Sequence, residues 1–195
     1  MIIKRKKIRK LWNRITLFLR LPWYAFAPIP TDGMIRFYKR DRKDFGFLSN
    51  FYPVIITING TEYPHVEAFY QSQKSDNPEY HKRISQNKSP AWAKYVGDSR
   101  IGNPFISKKS WFKKHPGDLK NNWADIRVEV MKTALNAKFR QNSLLQLSLL
   151  NTMNAELIED SEKDTFWGIG SDGNGENMLG TLLMDVRSML QNELR

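Results

Sequence analysis

VIITINGTEYPHVEAFYQSQK, residues 54–74, is the stretch whose reading decides the fold. Val54-Ile55-Ile56-Thr57-Ile58 is almost wholly β-branched, Asn59-Gly60 interrupts it, and Thr61-Glu62-Tyr63 resumes the extended pattern. Asn-Gly takes the positive φ angles of a two-residue hairpin turn at little steric cost, so two antiparallel strands are predicted. Asn59-Gly60-Thr61 also spells a glycosylation sequon, which the turn explains without a modification. From Pro64 to Lys74 the period becomes helical. Glu67, Gln71 and Lys74 fall at i, i+4 and i+7 on one face, while Val66, Phe69 and Tyr70 pack elsewhere. A carboxylate, an amide and an ammonium on one stripe among aromatics can wall a polar pocket. The same stripe also suits a solvated face with an ion pair.

Working outward, Ile35-Arg36-Phe37-Tyr38 reads as a short strand, and helices dominate downstream. Ser89 as N-cap and Pro90 at the first position open one that Gly97 closes. Asp125 to Phe139 forms another, with Val128, Met131 and Leu135 on one stripe, and Ser143 caps a helix through Leu150. Asn177 to Leu190 is the last, with Leu179, Leu182, Leu183, Val186 and Leu190 at core spacing. A few strands followed by many helices predict an α+β class: one helix-rich domain with a small antiparallel hairpin or sheet. Residues 98–122 are basic, aromatic and poor in periodicity, and predict a long surface loop over the site.

The 195 residues suffice for one domain with its own core. The chain has no cysteine, which excludes disulfides, thiolate nucleophiles and Cys-based zinc sites. His65, His81 and His115 lack metal-ligand spacing, so no metal and no cofactor is predicted. The net charge of +11 is uneven: residues 1–33 hold eight basic side chains against Asp32 alone. The high charge thus belongs mainly to an N-terminal extension, which argues against a nucleic-acid binder as a whole. Residues 34–195 form the predicted domain, with Met34 as an alternative start. In residues 1–33, Lys and Arg lie beside Trp12, Leu17, Phe18, Trp23 and Phe26. Two readings compete: a loosely structured extension, or a basic amphipathic segment on an anionic membrane surface. A signal peptide fits less well, because Arg14 and Arg20 break the apolar run. A nucleic-acid-binding arm is a third reading. The domain itself is expected in the cytoplasm, peripheral to a membrane if the amphipathic reading holds.

Two further stretches carry chemistry. Phe45-Gly46-Phe47-Leu48-Ser49-Asn50-Phe51-Tyr52 packs four aromatics into eight residues. It suits either a loop that stacks on a flat ring and bonds its edge, or an aromatic mini-core. Asp164 through Asn177 contains Gly168, Gly170 and Gly173 in G-x-G-x-x-G spacing. A dinucleotide fold is rejected, because no βαβ unit surrounds it and little chain remains. A glycine-rich turn before a helix N-terminus can still hold a phosphate, or can simply be a tight turn with glycines at positive φ.

Taken in order, these segments resemble the NADAR family, the YbiA-like proteins. The resemblance rests on Phe37-Tyr38, Phe47-Leu48-Ser49-Asn50-Phe51-Tyr52, Tyr63-Pro64 with Val66-Glu67, and Gln71-Ser72-Gln73-Lys74. It continues through Ser89-Pro90, Ala93-Lys94, Gly97, Asn122-Trp123, Arg127, Ala137-Lys138-Phe139, Leu157-Ile158-Glu159 and Asp164 with Phe166-Trp167-Gly168. It covers residues 35–190 and implies a small, cofactor-free N-glycosidase. One branch hydrolyses phosphoribosylamino-pyrimidine intermediates of riboflavin synthesis and releases ribose 5-phosphate. Others act on ADP-ribosyl substrates. The resemblance places the essential glutamate at Glu67. Where the family usually has His then Tyr-Phe after that glutamate, this chain has Ala68-Phe69-Tyr70, which puts substrate choice in question.

The expected chemistry is hydrolysis through an oxocarbenium-like state at the ribose C1. Glu67 stabilises that charge or activates water, and Asp164 is the second carboxylate. Phe47, Trp123 and Trp167 stack on the base, and Asn50, Gln71 and Lys74 bind polar edges. Lys74, Lys94 or the loop at Gly168 to Asn177 takes phosphate. The expected partner is a ribosylated, phosphorylated small molecule; nucleic acid is expected only as an ADP-ribosylated base. The alternatives are an ADP-ribosyl hydrolase and a non-catalytic ADP-ribose or nucleotide reader.

Overall fold

The computed structural model describes Thr31, residues 33–38 and residues 44–193. Nearly all of the basic extension, including its membrane-surface reading, lies outside these residues. Among them are four strands and seven α-helices: β1 (Met34–Phe37), β2 (Ile56–Ile58), β3 (Thr61–Tyr63), α1 (Val66–Ser72), α2 (Pro78–Ser85), α3 (Pro90–Val96), α4 (Trp111–Lys114), α5 (Trp123–Gln141), α6 (Ser143–Leu150), β4 (Glu156–Glu159) and α7 (Met178–Asn192). The α+β class is as the hydrophobic pattern predicts. No helix among the described residues is long and apolar enough to cross a membrane.

The hairpin forms as read. Ile56 pairs Tyr63 and Ile58 pairs Thr61, with Asn59 at φ 51° and Gly60 at φ 76°. Its outer edge is held by a side chain: Thr57 N donates to Gln141 Oε1 at 2.8 Å, and Gln141 Nε2 donates to Thr57 O at 2.7 Å. The second sheet departs from an all-antiparallel expectation. β1 pairs β4 in parallel, Ile35 against Leu157 and Phe37 against Glu159, with six helices between the two strands in sequence. Parallel strands need a long crossover, and the helices supply it.

Two apolar clusters hold the fold. The larger joins both sheets to α1, α5, α6 and α7 through Ile35, Phe37, Leu48, Met131, Leu135, Phe139, Leu157 and Leu183. The smaller packs Tyr80, Ile84, Ala93, Val96, Trp111 and Phe112 among α2, α3 and α4. It corrects the surface-loop reading of residues 98–122. Trp111 and Phe112 are core side chains, and Asp118 accepts from both Trp111 Nε1 at 2.7 Å and Asn77 Nδ2 at 2.9 Å. α2 goes unpredicted, although Asn77 caps it and Pro78 opens it.

Candidate active site

α1 starts where His65 Nδ1 accepts from Ala68 N at 2.9 Å, which caps the helix without an acidic residue. Glu67 is in the first turn and turns inward, only 6% exposed. Gln71, one turn on, donates from Nε2 to Glu67 Oε1 at 2.8 Å, as the i, i+4 spacing predicts. The main chain ties the aromatic stretch to this point: Glu67 N donates to Asn50 O at 3.3 Å. Burial pushes the Glu67 pKa up; Lys94, the Gln71 amide and Lys74 pull it back, and Asp164 pushes it up again. One buried carboxyl therefore feels two cations and a second carboxylate.

Lys74 lies just beyond α1. Its Nζ donates to Gly97 O at 2.7 Å and Ser99 Oγ at 3.3 Å, and lies 5.6 Å from the ring centres of both Tyr70 and Trp123. Burial brings its pKa down to about 8, with Glu67 opposing. Tyr70 forms the centre of an aromatic wall, edge-on to Trp123 at 5.1 Å and to Trp167 at 5.5 Å. Burial and the Glu67 carboxylate both push its hydroxyl up, so it stays protonated. Lys94 is exposed at the rim, 5.9 Å from the Phe51 ring.

Gly97 is required by packing rather than by φ. A Cβ there would lie 2.1 Å from Gln71 Oε1, so the glycine makes room for the amide that holds Glu67.

The structure thus brings Glu67, Gln71, Lys74, Lys94, Asn50, Trp123, Trp167 and Asp164 to one region. Asp164 is half-buried and its Oδ1 accepts from Phe166 N at 3.1 Å and Trp167 N at 2.8 Å, so it also fixes the loop that carries Trp167. Three predicted residues are placed otherwise. Phe47 is a core side chain, 2% exposed, and Phe51 takes its place near Lys94. Gly168 is a close-packing glycine, since a Cβ there would lie 2.7 Å from Glu159 O. Asn177 spends its amide on β4, accepting from Glu159 N and donating to Leu157 O, both at 2.9 Å. The phosphate-cradle reading of this loop meets the same obstacle. The N–H groups of Ile169, Gly170, Gly175, Glu176, Asn177, Met178 and Leu179 all donate within the protein.

Three residues near this centre were quoted in the sequence as matching pieces without a role. Arg127 lies 3.5 Å over the Phe166 ring, its Nε buried with no hydrogen-bond partner among the described residues. Lys138 is wholly buried, donates to Ser49 O at 2.9 Å, and is brought down to about 7 by burial. Glu159, at the end of β4, is 8% exposed, and its Oε2 has no hydrogen-bond partner among the described residues. Glu159 carried no local signal, because only the pairing of Glu156–Glu159 with β1 turns its side chain inward. Arg127, Met131, Leu135 and Lys138 fall at i, i+4, i+8 and i+11 on one stripe of α5, so basic residues at core spacing were the signal for Arg127 and Lys138.

The profile of the NADAR domain matches residues 36–191. The chain belongs to the NADAR family. By that membership it is an enzyme of the N-glycosidase class. This NADAR chain is 41% identical over 157 residues to a riboflavin biosynthesis protein of Vibrio vulnificus, covering 80% of this chain and 38% of that protein. It is 36% identical over 159 residues to N-glycosidase YbiA of Escherichia coli strain K12, covering 82% of this chain and 89% of YbiA. It is 36% identical over 173 residues to the chloroplastic riboflavin biosynthesis protein PYRR of Zea mays, of which it spans 26%. The NMR structure of E. coli YbiA superposes with a TM-score of 0.72 at 34% identity, covering 89% of this chain and 95% of that one. The family resemblance and the fold class are thereby borne out.

Proposed function

We propose that this NADAR chain hydrolyses the N-glycosidic bond of phosphoribosylamino-pyrimidine intermediates of riboflavin biosynthesis and releases ribose 5-phosphate. The observation that carries this reading is Glu67: a buried carboxyl, hydrogen-bonded by Gln71, influenced by Lys74, Lys94 and Asp164, beside the wall of Tyr70, Trp123 and Trp167. The names of the bacterial and plant relatives support the substrate class.

Cleavage of the ribose C1–N bond builds positive charge at C1 and negative charge on the departing nitrogen. Glu67, ionised, faces C1 and takes a proton from the attacking water. Gln71 fixes the carboxylate so that no reorientation is needed during the reaction. Trp123 and Trp167 flank the pyrimidine, and Lys94 at the rim meets the 5-phosphate. Lys74 keeps the pocket electropositive up to about pH 8, where its charge is lost.

The test follows ribose 5-phosphate release from the riboflavin intermediates by the full chain and by Glu67→Gln. Gln keeps the volume and loses the charge, so a fall of about 10²–10⁴-fold in kcat is expected. Wild-type rates from Glu67→Gln would remove the mechanism. Turnover of an ADP-ribosylated nucleobase in place of the pyrimidine riboside would move the substrate to the ADP-ribosyl class. Tight binding without turnover would make the site a reader.

A further inference from the structure

Glu159 has no place in the reaction as written above, and its surroundings do not explain it as a structural residue. Its backbone is fully committed. Its N–H donates to Asn177 Oδ1 at 2.9 Å, and its carbonyl accepts from Ser161 N at 2.9 Å and Ile169 N at 3.1 Å. It also sits in register against Phe37 in the parallel pair. These contacts hold β4 still, so the side chain cannot leave the interior by a shift of the strand. Yet the carboxyl at the end of that side chain has one oxygen buried with no hydrogen-bond partner among the described residues. Buried polar atoms in native proteins are paired almost without exception, and an orphan needs a reason. Lys138, which feels its charge, gives its hydrogen bond to Ser49 O instead.

The charged groups that act on this carboxyl come from every element around it: Glu67 on α1, Lys94 on α3, Lys138 on α5, and Asp160 and Asp164 on the following loop. Glu67, Asp164 and Glu159 therefore share one poorly solvated region. The charges of Asp164 and Glu67 both push the buried Glu159 carboxyl toward its protonated form, while Lys94 opposes them. Resting on the reading of Glu67 given above, we propose that Glu159 is the general acid of this site, the group whose proton goes to the leaving nitrogen. The structure divides the two roles. Glu67 has an amide donor and two lysines that favour its charge. Glu159, although Lys94 acts on it too, has an oxygen with no hydrogen-bond donor among the described residues, which favours the protonated form. Burial and the neighbouring carboxylates raise it to about 8, so it holds its proton at neutral pH.

The step balances without a further reactant. As the C1–N bond breaks, its electron pair goes to the nitrogen, and the Glu159 proton follows that pair to give the neutral aminopyrimidine. Water adds to C1, and its proton passes to Glu67. One water has been consumed, ribose 5-phosphate and the free amine are formed, and exchange with solvent returns the proton from Glu67 to Glu159.

The experiment compares two leaving groups. The aminopyrimidine riboside needs a proton to depart; 4-nitrophenyl β-D-ribofuranoside 5-phosphate releases a stable phenolate and does not. Glu159→Gln keeps shape and neutrality, so its melting temperature at pH 7 should match the wild type. Its rate on the amine riboside should fall by about 10²-fold or more, and its rate on the nitrophenyl compound should stay within a few-fold of wild type. Glu67→Gln should be slow on both. In the wild type, activity on the amine riboside should decline above about pH 8 more steeply than activity on the nitrophenyl compound, since Lys74 also loses charge near pH 8 and acts on both substrates alike. Equal slowing of Glu159→Gln on both compounds, an unslowed variant on the amine riboside, or identical alkaline declines for both substrates overturns the proposal. Should the nitrophenyl compound not react with wild type, the decision passes to the amine riboside alone. There, a shallower alkaline decline in Glu159→Gln than in the wild type supports the proposal and an unchanged one refutes it. A wild type silent on every riboside removes the Glu67 reading itself, a different and recognisable failure.

Discussion

Replacing Gly97 by alanine adds one methyl group and should disable a carboxylate that the methyl never touches. Gly97 closes α3 at φ −81°, a conformation alanine adopts freely, so no backbone strain is involved. The cost comes from space. The new Cβ would lie 2.1 Å from Gln71 Oε1, 2.8 Å from its Cδ and 3.0 Å from its Cβ. Ordinary carbon contact begins near 3.5 Å, so the amide must retreat by more than 1 Å. The bond from Gln71 Nε2 to Glu67 Oε1 is 2.8 Å, and a retreat of that size takes it beyond hydrogen-bonding range.

A hydrogen bond to a charged group contributes about 1.5–3 kcal/mol. Losing it from the ionised form of Glu67 should lower kcat/KM by about 10–150-fold at 25 °C. The Glu67 pKa should climb further, so the acidic side of the pH–rate profile moves to higher pH. Global stability should change by less than about 1.5 kcal/mol, because the displaced group is the end of a flexible side chain. The assay is ribose 5-phosphate release beside thermal melting, in a double-mutant cycle with Gln71→Ala. Once the amide is gone the methyl has little to displace, so the double variant should be no worse than Gln71→Ala. Additive losses in that cycle would refute the reasoning, and so would full activity in a folded Gly97→Ala protein.

Two further outcomes follow from side chains buried near the site. Asn177→Gly preserves the left-handed backbone at φ 50° but strips both amide bonds from β4, leaving Glu159 N and Leu157 O unpaired; urea unfolding should show a loss of about 2–4 kcal/mol, and an unchanged midpoint would contradict the pinning role. Lys138, at about 7 when folded against an ordinary value of 10.5, binds fewer protons folded than unfolded between those pH values. Its contribution therefore makes the wild type more stable as pH rises from about 7 to 10.5. Lys138→Met should flatten that slope in denaturation curves taken across the range, and an unaltered slope would place the titration elsewhere.

The parts of this fold that were legible are those where one local rule acts alone. Asn59-Gly60 fixes a hairpin because its φ angles leave few alternatives, and Ser89-Pro90 fixes a helix start because one side chain and one ring meet the same need. Glu67, Gln71 and Lys74 were legible as a stripe because their contacts span a single element or little more. β4 was not, because four residues paired in parallel with β1 across some 120 intervening positions leave no local mark. Glu159 went unassigned for the same reason: only that pairing turns its side chain inward. The glycine loop shows the opposite failure. Its spacing invites a phosphate, yet a glycine's open backbone serves a ligand only if the fold leaves the N–H groups unspent, and here they close a turn on Phe166, Trp167 and Gly168. Glycine spacing thus records where the backbone comes close to something. What it comes close to here is β4: Gly168 and Gly180 each leave room for a carbonyl of that strand, Glu159 O and Leu157 O. The loop's contribution is therefore structural: it holds β4, the strand that bears Glu159, through Asn177, and it sets Trp167 against Tyr70 of α1, which is the placement the proposed roles of Glu67 and Glu159 require.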